Sequence, residues 1–162
     1  MTATSVNHLS ISAKNLEESL RFYEHLFNME RIPTYNFGFT TQYLRCGEQQ
    51  LHVFVLPETT PVYQHFALNV ADFHAVYEKA KALGALDAKT FGNPVNEMPD
   101  GSVQMYLRDP GSNLVEVDWP DIKTLDRSRI PELKRLADRF PQTGDNLKAT
   151  LYLDRKRRSD AA

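Results

Sequence analysis

Residues Gln64 to Val70 alternate, with His65, Ala67 and Asn69 on one face and Phe66, Leu68 and Val70 on the other. That period predicts a half-buried strand. Asp72 follows as a helix cap, and Phe73, Val76, Ala80 and Leu83 continue at helical spacing. The same unit occurs near the N-terminus. Asn7 to Ser12 alternates, Asn15 caps, and Leu16, Leu20, Tyr23 and Phe27 follow at helical spacing. A shift of 57 residues places His8 on His65, Asn15 on Asp72 and Leu16 on Phe73.

The pattern predicts strands at 6–13, 30–36, 39–46 and 49–56 in the first half, with a helix at 15–28. Pro33 weakens the second strand. The second half repeats the order, with strands at 63–70, 86–91, 102–108 and 113–119 and a helix at 72–83 ended by Gly84. A Pro/Gly-rich loop is expected at 92–101, and Pro57 to Pro61 reads as the linker between halves. Gly47 precedes His52 by five residues and Gly111 precedes Glu116 by five, so these also occupy equivalent positions. Each half is β-α-β-β-β. The predicted fold is α+β, two βαβββ repeats (5–57 and 62–119) forming a curved mixed sheet within residues 1–120. Residues 121–162 form an extension, with a helix expected at 128–140 because Pro131 sits in its first turn and Pro141 beyond its end.

Charge adds an asymmetry. Residues 1–120 hold 8 Lys/Arg and 14 Asp/Glu, whereas 121–162 hold 11 and 7, giving −6 and +4 within a net −2. The tail run Arg155-Lys156-Arg157-Arg158 suits nucleic acid, but the acidic body opposes it, so no nucleic-acid partner is expected. No apolar run reaches the roughly 20 residues of a membrane helix, and no leader is visible, so a cytoplasmic protein is expected. Cys46 is the single cysteine, which excludes an intrachain disulfide.

The repeat sets four groups at equivalent places: His8 and His65 on first strands, His52 and Glu116 on last strands. Two imidazoles and a carboxylate suit Fe(II), Mn, Co, Ni or Zn with open positions for substrate. His52 lies among Leu51, Val53, Phe54 and Val55, so it reads as a buried structural histidine, a fourth ligand or an acid/base group. His25 and His74 are helix-surface residues without a role. Phe37, Phe39, Phe54, Phe66 and Trp119 are available to a pocket or to the core.

The matching text is Asn7-His8-Leu9 with Ser19-Leu20-Arg21-Phe22-Tyr23, Tyr63-Gln64-His65-Phe66-Ala67, and Tyr106-Leu107-Arg108-Asp109-Pro110-Gly111-Ser112-Asn113-Leu114-Val115-Glu116. Over residues 5–119 the chain resembles the vicinal oxygen chelate superfamily of glyoxalases, bleomycin resistance proteins and extradiol dioxygenases. The resemblance implies a metal held by His8, His65 and Glu116, a substrate chelating it through two oxygens, and a homodimer.

An Fe(II)-dependent extradiol dioxygenase acting on a catechol-like substrate is the first expectation. His52 precedes His65 by 13 residues and Tyr106 precedes Glu116 by ten, close to that family's spacing. The resemblance makes both catalytic: His52 moves a proton, and Tyr106 hydrogen-bonds a substrate oxygen. Asn96-Glu97-Met98 stands where that family has a further histidine. The alternatives are a glyoxalase I-like lyase or isomerase on Ni or Zn, a fosfomycin-type thiol transferase, and a metal-free sequestering protein.

Overall fold

Asn15 and Asp72 both cap helices. Each side chain accepts a hydrogen bond from the backbone N–H three residues on, Asn15 from Glu18 and Asp72 from Ala75. In the computed structural model the described residues are 7–34, 36, 39–55 and 61–152. The expected tail run 155–158, most of the linker 57–61, Phe37 and the start of the first strand at Val6 lie outside them.

The elements follow the duplicated pattern. The first half runs β1 (His8–Ala13), α1 (Leu16–Phe27), β2 (Glu30–Ile32), β3 (Thr41–Cys46) and β4 (Gln49–Val55). The second runs β5 (His65–Asn69), α2 (Phe73–Ala82), β6 (Val95–Glu97), β7 (Val103–Arg108) and β8 (Leu114–Trp119). The sheets are ordered β1-β4-β3-β2 and β5-β8-β7-β6, so in each half the last strand lies beside the first. A further strand, β9 (Leu133–Arg135), extends the second sheet beyond β6.

Two expectations are corrected. The stretch 86–91 is not a strand; only Leu86 bridges, to Leu107. The outer strand is instead β6, three residues inside the expected Pro/Gly loop. The helix expected over 128–140 does not form as one element. Arg127–Arg129 makes a single 3-10 turn capped by Asp126, and only Leu136–Arg139 is α-helical (α3). Between them Leu133, Lys134 and Arg135 pair in parallel with Val95, Asn96 and Glu97. A long-range sheet partner on β6, which local proline signals do not report, takes up these backbone groups.

The chain divides into two compact units, Met1–His65 with Arg108–Leu114, and Phe66–Leu107 with Val115–Ala162. In the first unit, α1 packs against β4 and buries Leu20, Tyr23 and Leu26. Segment 108–114 is built into that unit. Asp109 is buried and accepts the Tyr23 hydroxyl at 2.9 Å and the Asn113 backbone N–H at 2.7 Å. Asn113 Nδ2 donates to the Ser12 carbonyl at 2.7 Å. A Cβ on Gly111 would stand 2.6 Å from that same carbonyl, so glycine is required by close approach. In the second unit, Phe73, Val76, Tyr77 and Ala80 of α2 are buried, as are Val103, Met105 and Leu107 of β7 and Val115 and Val117 of β8. The alternate residues, Gln104, Tyr106, Glu116 and Asp118, point to the other side of their strands.

Candidate metal centre and adjoining cavity

His8 and His52 meet on one face of the first sheet. Ser10 pairs with His52 across β1 and β4, and Tyr43 pairs with His52 across β3 and β4. The His52 ring lies flat between two neighbours. Its centroid is 3.5 Å from that of Tyr43, at 8° between planes, and 4.3 Å from that of His8, at 13°. Burial, then the nearby His8 charge, holds His52 below the usual histidine pKa. His52 Nε2 bonds to Gln50 Oε1 at 2.9 Å, and an amide oxygen only accepts, so Nε2 carries the proton.

His8 and His65 are exposed at the starts of β1 and β5. Each ring is fixed through Nδ1: His8 on the Asn7 amide oxygen at 2.9 Å, His65 on the Tyr63 carbonyl at 2.8 Å. Both partners accept, so Nδ1 bears a proton, and in a neutral ring the lone pair is then on Nε2. Metal-binding histidines are commonly oriented in this way.

The second sheet carries an acidic group. Glu116 and Asp118 are both buried on β8. Gln104 Nε2 donates to Glu116 Oε1 at 2.6 Å, and the Tyr106 hydroxyl donates to Gln104 Oε1 at 3.2 Å. Burial first, then Glu116, pushes both the Asp118 carboxyl and the Tyr106 hydroxyl well above their usual ranges. Tyr106 is therefore a donor. Asp118 Oδ1 is buried without a hydrogen-bond partner.

Among the described residues, no group of three or more His, Cys, Asp or Glu side chains gathers as a metal-holding set. His8 stands with His52, Glu116 stands with Asp118, Gln104 and Tyr106, and His65 is on β5, the strand next to β8. The donor chemistry suits a divalent cation all the same. Neutral imidazoles would present Nε2 lone pairs, and the buried Glu116–Asp118 carboxyl pair has an orphaned oxygen, Asp118 Oδ1, that a cation would satisfy once the pair is ionised.

Beside Gln104 and Tyr106 lies a cavity of about 390 Å³, also walled by Phe91, Leu136, Arg139 and Phe140. Sequence reading missed this wall. Phe91 lies in a loop and Leu136, Arg139 and Phe140 in the extension, where no period marks a pocket residue. Of the aromatics expected to be available to a pocket, Phe39 and Phe54 pack edge to face at 5.5 Å. Trp119 packs on Phe73 at 6.3 Å and donates to Thr124 Oγ1 at 2.8 Å. His25 is exposed and His74 Nε2 accepts the Asp126 N–H, so neither joins the site.

A family profile described as the Glyoxalase/Bleomycin resistance protein/Dioxygenase superfamily matches residues 5–117. The chain belongs to this superfamily. Solved structures share the vicinal oxygen chelate fold. Lactoylglutathione lyase from Agrobacterium tumefaciens aligns at 23% identity over 73% of this chain and 95% of its own, with a TM-score of 0.55. A mutant of the fosfomycin resistance protein FosX from Listeria monocytogenes, complexed with Mn(II) and 1S,2S-dihydroxypropylphosphonic acid, aligns at 17% identity over 75% of this chain and 96% of its own, with a TM-score of 0.62. Comparison with curated proteins found no match. Among the described residues, no helix of this superfamily member is long and apolar enough to cross a membrane.

Proposed function

We propose that this protein is a metal-dependent enzyme that opens the ring of a catechol-like substrate, with Fe(II) held by His8, His65 and Glu116. The observation that carries this reading is the aromatic-walled cavity reached by the Tyr106–Gln104–Glu116 hydrogen-bond chain. A planar substrate fits between aromatic walls. The bound metal would supply Lewis-acid stabilisation to a substrate chelating through two adjacent oxygens. Tyr106, kept protonated by burial, would turn its one O–H from Gln104 Oε1 to donate to a substrate oxygen. His52 moves a proton to or from the substrate, its ring orientation fixed by Tyr43 and His8. A FosX structure of the same fold holds Mn(II) with a vicinal diol, which supports a chelating substrate.

The test is anaerobic loading with Fe(II) and a catechol, followed by air. Oxygen uptake with a yellow ring-opened product is the expected result. One observation favours a second reading: His52 stands on β4 as Glu116 stands on β8, each strand beside the first strand of its half. There His52 is a fourth ligand of a glyoxalase-like lyase. No oxygen uptake, together with turnover of a glutathione hemithioacetal under Ni, would establish that reading instead.

We further propose that two copies pair and share ligands, His8 from one and His65 and Glu116 from the other. Exposed His8 and His65, with no gathered set among the described residues of one chain, support this. Mixing inactive His8→Ala and Glu116→Gln chains should restore about a quarter of the wild-type sites, because half the pairs are mixed and each mixed pair has one intact set. No recovery after confirmed subunit exchange would place the set within one chain.

A further inference from the structure

The C-terminal extension does more than lengthen the second sheet. β9 pairs with β6, and α3 follows at once, so Leu136, Arg139 and Phe140 become part of the cavity wall. We infer that this wall is a binding subsite for an aromatic carboxylate, with the ring held by Phe91, Tyr106 and Phe140 and the carboxylate by Arg139. This deepens the catechol reading and rests on it for the reaction, though not for the binding.

Phe91 and Tyr106 form a corner, their ring centroids 4.7 Å apart at 47° between planes. Phe140 supplies a further aromatic face beneath the Arg139 guanidinium, whose Cζ is 5.2 Å from the ring centroid. The volume, about 390 Å³, falls at the small end of ligand pockets and suits a single ring with a short side chain.

Arg139 supplies the charge selectivity. Its Nη2 donates to the Phe91 carbonyl at 3.0 Å, which ties α3 to the loop carrying Phe91. The backbone makes room for this contact at Gly92, where a Cβ would stand 2.7 Å from Nη2. A guanidinium has five N–H donors, and among the described residues no carboxylate pairs with Arg139. Two other arginines of the extension meet carboxylates: Arg127 meets Glu97 at 2.6 Å, and Arg129 meets Glu78. A positioned, unpaired guanidinium over an aromatic floor favours a planar anion, and carboxylate geometry matches its remaining donors.

The experiment is calorimetric titration of the full chain, as purified, with phenylacetate and with its neutral isostere phenylacetamide. Phenylacetate should bind the wild type about tenfold to a hundredfold more tightly, the range of a charge-assisted hydrogen bond. Arg139→Gln should make the two ligands bind equally, and Arg139→Lys should keep part of the preference. Equal binding of both ligands by the wild type, no phenylacetate binding, or an unchanged preference in Arg139→Gln would overturn the assignment. The wild-type comparison needs no variant to fold. Oxygen uptake with catechols is read separately. A carboxylate preference without uptake supports the subsite and removes the ring-opening reading; uptake without the preference overturns the subsite alone.

Discussion

The two halves share one scaffold and carry opposite chemistry. Both begin with a strand, cap a helix with Asn or Asp, and return the last strand beside the first. On that frame the first half stacks the rings of Tyr43, His52 and His8, whereas the second buries the carboxyl groups of Glu116 and Asp118 beside Gln104 and Tyr106. Duplication has kept the positions that make the fold and varied the side chains on one face. An asymmetric donor set, imidazole from one half and carboxylate from the other, arises that way without any local spacing motif.

The largest effects should come from that face. His65→Ala should lose metal and turnover together. His52→Ala should keep metal and lose about a hundredfold to ten-thousandfold in kcat, the range of a missing acid/base group, as read by metal analysis beside steady-state kinetics. Loss of metal from His52→Ala would move His52 to the fourth-ligand role.

Next come the equivalent turns. Gly47 and Gly111 stand at matching repeat positions, yet glycine serves different purposes there. Gly47 has φ +59° with no atom within 4 Å of an added Cβ, whereas at Gly111 the obstacle is the Ser12 carbonyl at 2.6 Å. Urea unfolding should show Gly111→Ala losing about 1–3 kcal/mol to overpacking. Gly47→Ala should lose about 1–2 kcal/mol to left-handed strain. The caps are alike, so Asn15→Ala and Asp72→Ala should each cost about 1 kcal/mol in the same assay. A large difference between them would break the equivalence of the halves.

The smallest effect is a pH slope. Burial raises the Asp109 carboxyl above its usual range, more than the hydrogen bonds from Asn113 and Tyr23 lower it. The folded state therefore holds this proton more tightly than the unfolded chain. Its contribution to stability is greatest at low pH and declines as pH rises through the carboxylate range. Asp109→Asn should flatten that slope in urea midpoints measured across pH. An unchanged slope would show that another group sets it.

The long periodic elements were legible in sequence because alternation and capping are local signals. β6 was hidden because three residues between Gly92, Pro94, Pro99 and Gly101 carry no period, and only pairing with Met105, Gln104 and Val103 makes them a strand. The helix over 128–140 fails for a related reason: Leu133 to Arg135 find partners on β6 that no local signal announces. The run from Arg108 to Asn113 was recognisable as a family signature, but its physical work was not. Asp109 and Asn113 are buried anchors for Tyr23 and Ser12, residues far away in sequence. The four equivalent groups on first and last strands were visible through the repeat. The cavity was not, since Phe91, Arg139 and Phe140 come together only after the extension pairs with β6.

Metal titration of chelator-stripped protein tests the central claim most directly, comparing the wild type with His8→Ala, His65→Ala, Glu116→Gln and His52→Ala. We expect tight Fe(II) binding by the wild type and by His52→Ala, and its loss in each of the other three. Wild-type affinity retained in any of those three would contradict the assigned ligand set.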